Sequence, residues 1–420
     1  MTGKELDMEH CWFAGIDWGS REHRVHMSDE RGTQLGARSF SHDGAGLAAM
    51  AEWMLKVADA PPEAIHVAIE TPHGPVVESL MERGFHLYAI NPKQLDRFRD
   101  RFSPAGAKDD SRDAEVLASA LRTDPHCLRH LDPIDPIVVE LREWSRITGE
   151  LTCERVRLAN RLREQLWRYY PQMIEVADDL AAGWVLELWK LVPNPAAARR
   201  VREHTIAQLL KRYRIRRITA AELLEPLRAP AITVAPGTTE AASAHIKVLI
   251  KGLTVTNREL RAAKARLDQL VERLAETGDT EPGQHPEQRD VAILASSPGA
   301  GRITTATLLA EAWDALRRRD YHALRCLCGV APVTRQSGKS KIVVRRLAVS
   351  RRLQNAVYHW ALGAIQHDPS SRAKYTALRQ RGHGHARALR SVADRLLAML
   401  CAMLRSQTLF EPDRHAKPAA

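Results

Sequence analysis

The chain has 420 residues and a formal net charge of +11, and 27% of its residues are charged. This length exceeds one ordinary domain core and predicts two or three domains, while the positive charge favours a polyanionic partner. A merely soluble basic protein is the alternative, because charge alone does not identify a partner.

The sequence carries no pattern typical of export, membrane insertion or disulfide stabilisation. No apolar run reaches the roughly 18 residues of a membrane span, and the N-terminal residues lack the apolar region of a signal peptide. The cysteines form no Cys-x-x-Cys pair and have no histidines at zinc spacing. We therefore expect a cytoplasmic protein with no membrane partner, no disulfide framework and no structural zinc.

The first third of the chain alternates strand and helix patterns. Three leading strands are predicted at Cys11–Asp17, at Arg24–Ser28 and after the turn at Asp29–Gly32. Further elements follow in this order: a helix at Ala45–Val57, a strand at Ile65–Ile69, a helix at Pro75–Arg83, a strand at Phe85–Ile90, and a helix from Asn91-Pro92. This order predicts an α/β domain over residues 11–130, with an RNase H-like mixed sheet. A Rossmann domain is disfavoured, because no Gly-x-Gly-x-x-Gly follows the first strand.

Four carboxylates stand at the ends of these elements. Asp17 and Glu70 each follow an apolar strand, and Asp110 and Asp113 lie three residues apart at the start of a helix. Clustered carboxylates hold Mg²⁺ for phosphodiester chemistry, so together they predict a metal site. A helix cap is the alternative for the aspartate pair, and Asp109 could share the helix face of Asp113.

Residues 136–278 are predicted to form a long helical, coiled-coil region. Apolar residues recur at three- and four-residue steps from Leu141 to Leu166, and Pro171 ends that helix. A second helix ends near Gly278 and has apolar residues at heptad spacing: Ile246, Leu253, Leu260, Leu267 and Leu274. One interpretation is a coiled-coil arm or dimerisation rod, and the other is an intramolecular helix pair with solvated charges.

A third, mostly helical domain is predicted over residues 290–408. It follows a linker rich in Gly, Pro and polar residues at Thr277–Arg289, and residues 411–420 are predicted to be a disordered tail. The sequence Ser297-Pro298-Gly299-Ala300-Gly301 is typical of a helix-hairpin-helix turn, whose amides at Gly299 and Gly301 would contact phosphate. A tight turn without a ligand is the alternative.

A basic segment without acidic residues runs from Thr334 to Leu353. Its cations are candidates for contacting nucleic-acid phosphates: Arg335, Lys339, Lys341, Arg345, Arg346, Arg351 and Arg352. Ser337 lies within this segment, before a glycine. Composition alone predicts that it donates a hydrogen bond to phosphate, because no histidine-based triad is evident to activate it as a nucleophile.

In these motifs the chain resembles the insertion-sequence 110 family of transposases, which are DEDD recombinases with a RuvC-like N-terminal domain. The resemblance runs from about Phe13 to Leu404. The matching N-terminal motifs are Gly15-Ile16-Asp17, Glu70-Thr71, Asn91-Pro92 and Lys108–Ala114. The matching C-terminal motifs are Ser297–Gly301, Gly329–Pro332 and Gln336-Ser337-Gly338.

The resemblance implies specific roles and partners. Asp17, Glu70, Asp110 and Asp113 would bind Mg²⁺, and Ser337 would attack DNA to leave a covalent 5′-phosphoserine link. The implied partners are the double-stranded DNA of the element's ends and target, a structured noncoding guide RNA, and further copies of the chain, as a homodimer assembling to a tetramer. Three alternatives remain: a RuvC-like hydrolytic junction nuclease, a DNA-inverting recombinase, and a non-enzymatic DNA- or RNA-binding repressor.

Overall fold

The computed structural model describes residues 11–102, 110–133, 135–276, 286–338 and 340–412. The chain divides into two compact units, Met1–Ile134 and Asp135–Ala420. Residues 136–278 and 290–408 belong to the same unit, and their separation into two domains stays a prediction. Most of the predicted linker and the predicted tail from residue 413 onwards lie outside the described residues.

The first unit is built on a six-stranded mixed sheet with the order β3-β2-β1-β4-β5-β6. Its strands are β1 Trp12–Trp18, β2 Glu22–Ser28, β3 Gln34–Ser41, β4 Ile65–Ile69, β5 His86–Ala89 and β6 Arg129–Leu131. β4 pairs in parallel with both β1 and β5, and the other neighbours are antiparallel. A leading antiparallel meander joined to parallel strands fits the predicted RNase H-like class.

Helices cover both faces of this sheet: α1 Gly44–Ala58, α2 Pro75–Met81, α3 Pro92–Arg99 and α4 Asp110–Thr123. β4 is buried along its whole length, as expected of a central parallel strand with both faces covered. On one face α4 packs directly on β1 at Gly15. A Cβ atom at Gly15 would lie 1.9 Å from the backbone oxygen of Ala114, so this close approach requires glycine.

The predicted elements of this unit are confirmed, with differences of a few residues at their ends. The helix predicted from Asn91-Pro92 is α3, and Asn91 caps it by accepting a hydrogen bond from the Lys93 amide at 3.0 Å. β6 was not predicted. A strand of three residues is too short to show a periodic pattern.

Within its described residues, the second unit is helical apart from one two-stranded sheet. Its helices are α5 Pro136–Tyr169, α6 Gly183–Leu191, α7 Pro195–Arg200, α8 Glu203–Arg212, α9 Ala220–Leu227, α10 Thr238–Glu276, α11 Pro286–Ser296, α12 Arg302–Arg317, α13 Tyr321–Leu327, α14 Arg351–His367, α15 Pro369–Gln380 and α16 His385–Ser406. The sheet is an antiparallel hairpin of β7 Val333–Ser337 and β8 Ser340–Val344. Among the helices in the described ranges, none is both long and apolar enough to cross a membrane.

The two long helices predicted from the sequence are α5 and α10, and they form an antiparallel intramolecular pair. Glu140 bonds to Arg266, Arg155 to Asn257 and Arg161 to His245, so later residues of α5 meet earlier residues of α10. The heptad residues of α10 are all buried. Supercoiling and a role in assembly stay predictions.

Candidate functional site

Two of the predicted carboxylates stand side by side at the ends of neighbouring parallel strands. β1 and β4 pair from Trp12 with Ile65 to Ile16 with Ile69, and Asp17 and Glu70 are the next residues of this register. Both alternate onto the sheet face that packs against α4, the face of Phe13. Adjacent strands lie about 4.8 Å apart, so the strand ends hold these two side chains as neighbours.

Asp113 is brought over the same face by the first turn of α4. Its side chain is 2% exposed and forms a bidentate ion pair with Arg99, at the end of α3. Arg99 donates from Nε to Oδ1 at 2.5 Å and from Nη2 to Oδ2 at 2.9 Å. Hydrogen bonding to Asp113 raises the pKa of Arg99, and the charges of Asp113, Asp96 and Glu70 raise it further against the effect of burial.

We call Asp17, Glu70 and Asp113 the acidic edge. Asp110 begins α4, but its side chain, like the whole of Asp109, lies outside the described residues.

Two arginines at the acidic edge were missed by sequence reasoning. Arg99 is the first. Arg24 is the second, because it lies directly opposite Asp17 in the β1–β2 pair and on the same face. The alternation of β2 could have placed Arg24 on that face, but no local pattern marks Arg99, which reaches Asp113 across 14 residues of sequence.

The donors of the acidic edge fit a hard divalent cation, since all of them are carboxylate oxygens, the ligands that such cations prefer. In the part of the chain that the structure describes, one group of three potential metal ligands has all its ligand atoms within 4.8 Å of one another. It consists of Asp124, His126 and Cys127 and is separate from the acidic edge. The carboxylate oxygens of the three acidic-edge residues are therefore farther apart than those of residues that together coordinate one ion.

The hairpin of the second unit, Val333–Val344, is called the basic ribbon here. Ser337 ends β7 and pairs with Ser340 across the tip, where Gly338 has a φ of +54°. Such a left-handed residue suits a two-residue hairpin turn, which explains the glycine. Ser337 is exposed, and so are Ile342 and Val343 on β8. The ribbon thus presents its serine at an accessible tip.

The predicted phosphate-binding cations are not equivalent. Arg335, Lys341, Arg345 and Arg351 are exposed, Arg346 is half-buried, and Lys339 lies outside the described residues. Arg352 is engaged inside the unit, where its guanidinium pairs with Glu311 at 3.0 Å and donates to Ser145 at 3.0 Å. A phosphate contact by Arg352 stays a prediction, with less support than the contacts of the exposed cations.

The predicted helix-hairpin-helix turn joins α11 to α12. Gly299 has a φ of +74°, and a Cβ there would lie 2.3 Å from the Ala364 amide nitrogen of α14. Trp360 also donates to the Pro298 carbonyl at 3.0 Å. This packing supports the structural interpretation for Gly299. Gly301 is exposed with open space beside it, and phosphate contacts at both glycines stay predictions.

Comparison with known proteins assigns the segments that contain the acidic edge and the basic ribbon to models of one transposase family. A family model for DEDD transposases of the IS110 type, described as "Transposase", matches residues 14–171, and a second, described as "Transposase IS116/IS110/IS902 family", matches residues 291–376. The first match contains the acidic edge, and the second contains the basic ribbon.

Relatives with similar names match long stretches. The protein named as transposase y4uE in Sinorhizobium fredii is 61% identical over 50% of this chain, and the chain covers 59% of that relative. The mini-circle transposase named for IS117 in Streptomyces coelicolor is 32% identical over 97% of both chains. The insertion element IS110 43.6 kDa protein of Streptomyces coelicolor is 31% identical over 73% of both. The chain therefore belongs to the IS110 family of transposases and is an enzyme of DNA transposition or recombination.

Proposed function

We propose that this transposase joins DNA through a covalent serine intermediate, with Ser337 as nucleophile and with Asp17, Glu70, Asp110 and Asp113 as ligands of Mg²⁺. The observation that carries the proposal is the placement of Ser337 at the exposed tip of a cationic ribbon. A hydroxyl at this position can meet a backbone phosphate without displacing any other part of its unit. Buried serines that serve packing are instead satisfied internally, as Ser297 is by the Ile293 carbonyl.

The proposed step conserves atoms and charge. Ser337 loses its hydroxyl proton as Oγ bonds to the scissile phosphorus, and the phosphorus–oxygen bond to the 3′ oxygen breaks. The leaving 3′ oxygen takes up a proton, and the 5′ phosphate stays on the serine. Mg²⁺ at the carboxylates would supply Lewis-acid stabilisation of the oxygens that gain charge.

The residues of the ribbon would hold the phosphate during this step. Arg335 shares the face of Ser337, because side chains two residues apart on a strand point the same way. Its guanidinium can donate two parallel hydrogen bonds to phosphate oxygens. The residues of the acidic edge would supply the negative charge that retains the metal.

The proposal extends to partners. Double-stranded DNA of the element's ends and target is the substrate, and a structured noncoding guide RNA would select the sites by base pairing while the protein contacts backbone. Assembly would run from homodimer to tetramer, and the α5–α10 pair is the proposed coiled-coil assembly element. The net charge of +11 favours a polyanionic partner and is compatible with both nucleic acids.

Ser337→Ala tests the serine mechanism, and Ser340→Ala is its matched control, since Ser340 lies opposite Ser337 on the same ribbon face. DNA whose cleaved strand carries a 3′-terminal label, which stays on the fragment that keeps the 5′ phosphate, is incubated with protein, guide RNA and Mg²⁺, and labelled protein is measured after denaturation. We expect Ser337→Ala to lose the protein–DNA adduct and joining entirely, and Ser340→Ala to keep both.

Free nicked ends with no adduct, together with activity that survives in Ser337→Ala, would support a hydrolytic nuclease instead. Adduct formation without any RNA would remove the guide from the proposal. Inverted rather than inserted products would identify a DNA-inverting recombinase.

A further inference from the structure

The acidic edge already contains a bound cation that belongs to the protein. Arg99 occupies both oxygens of Asp113, at 2.5 Å and 2.9 Å, and its remaining nitrogen contacts Asp96 one turn earlier in α3. The Asp113 side chain is 2% exposed, whereas that of Asp96 is 68% exposed. Arg99 thus bridges a buried carboxylate of the acidic edge and a carboxylate at the surface.

A buried carboxylate without a counter-charge is strongly destabilising, which explains why the fold supplies one. A divalent ion that used Asp113 would bring two further positive charges within a few ångströms of the guanidinium. Repulsion over such a distance amounts to several kcal/mol even at an effective dielectric constant of about 20. Arg99 and a divalent cation therefore cannot share Asp113 with this geometry.

We propose that Arg99 is a resident counter-cation that competes with the divalent metal for Asp113 and must release at least one of its oxygens before the metal binds there. This inference rests on the proposed metal site. Asp96 is the partner that retains the released guanidinium, because Arg99 already contacts it and its carboxylate is open to solvent. The exchange keeps Asp113 neutralised in both states and sets a threshold of metal concentration for loading the site.

If Arg99 competes with the metal, its removal should change the metal affinity in the opposite direction from the removal of an arginine that only supports a ligand. Removing a residue that only positions a metal ligand weakens metal binding. Removing a competing cation strengthens it. Without metal, a variant that lacks Arg99 should be less stable than the unmodified chain, because its Asp113 would be buried without a counter-charge.

The test measures Mn²⁺ binding to the full-length chain by isothermal titration calorimetry, with the thermal unfolding midpoint recorded at each metal concentration. We expect Arg99→Gln to bind Mn²⁺ about tenfold more tightly than the unmodified chain. Its metal-free midpoint should be lower and its gain in midpoint on adding Mn²⁺ larger. Arg97→Gln removes the same charge from the exposed face of α3 and should change the affinity less than about twofold.

Arg99→Lys provides a second variant that keeps a charge but cannot hold both oxygens, so it should show an intermediate gain in affinity. Unchanged or weaker Mn²⁺ binding in Arg99→Gln, or in Arg99→Lys where the glutamine variant does not fold, overturns the inference. Asp17→Asn separates this failure from that of the metal site itself. If Asp17→Asn leaves Mn²⁺ binding intact, the ion is not bound at the acidic edge and the proposed site is wrong.

Discussion

The acidic edge and the basic ribbon differ in how their charges are balanced. The carboxylate of Asp113 is buried and held by Arg99 through two hydrogen bonds, and Arg24 faces Asp17 across β1 and β2. The ribbon has exposed cations on both strands, and no acidic residue occurs between Thr334 and Leu353. The buried carboxylate of the first site is neutralised from within its own unit, whereas the second site has an excess of positive charge.

This difference indicates how each site gains free energy when it binds its partner. An internally neutralised carboxylate gains little from a new cation until its arginine moves, so metal loading depends on an exchange. Unbalanced cations gain directly from a polyanion, because phosphate contacts release condensed counterions. We therefore expect the ribbon to govern nucleic-acid affinity and the acidic edge to govern the chemical step.

The largest expected effect comes from neutralising the exposed cations of the basic ribbon together with Arg345, the residue that follows it. Replacing Arg335, Lys341 and Arg345 together by Gln should weaken DNA binding about 100-fold near 0.15 M salt and reduce the slope of log affinity against log salt by about 2.7. Fluorescence anisotropy with labelled DNA at several salt concentrations measures both quantities. Asp17→Asn should change affinity less than about twofold, and a comparable loss in that variant would contradict the division of roles.

The second expected effect concerns acid stability, which should fall more in the first unit than in the second. Burial, with the charges of His86 and His130, lowers the pKa of His66 from 6.5 to about 4. The unfolded chain therefore binds a proton between about pH 6.5 and 4 that folded His66 does not, so stability is complete above this window and falls as the pH drops through it. In the second unit burial raises the pKa of Asp290, so protonation there favours folding.

We expect β4 to lose about 2 kcal/mol of protection between pH 7.5 and pH 5, with α12 losing less. Hydrogen exchange read by mass spectrometry, corrected for intrinsic rates, compares both elements within one chain. His66→Phe should flatten the pH dependence of β4, although it also removes the His66 contact to the Tyr88 hydroxyl at 3.1 Å. An unchanged pH dependence in this variant would exclude His66 as the cause.

The sequence predicted those parts of the molecule whose cause is local. The fully apolar segment Ile65–Ile69 indicated a buried strand, and Asn91-Pro92 carried its own helix cap and start. The position of Glu70 directly after a strand followed from the same signals. Heptad spacing in α10 predicted its buried face, because that periodicity depends only on the helix itself.

The rest depends on residues that meet only after folding. Arg99 neutralises Asp113 because α3 packs against α4. Arg352 of α14 forms an ion pair with Glu311 of α12, a helix that lies far from it in the sequence. The basic ribbon was also missed as a hairpin. Its strands have no buried face, so they lack the apolar alternation by which strands are recognised.

The smallest expected effect distinguishes the two faces of the ribbon. Arg335 and Ser337 project from one face, while Lys341 lies opposite Gln336 on the other. The Cα atoms of residues two apart on a strand are about 6.8 Å from each other, a distance that the arginine side chain can span to reach a phosphate on Ser337.

Arg335→Gln and Lys341→Gln should weaken DNA binding similarly, because each removes one exposed charge. Only Arg335→Gln should also slow adduct formation at saturating protein, by about tenfold, as expected for the loss of one charged hydrogen-bond donor. Single-turnover rates of adduct formation measure this difference, and equal slowing in the two variants would mean that the ribbon attracts DNA without orienting the scissile phosphate.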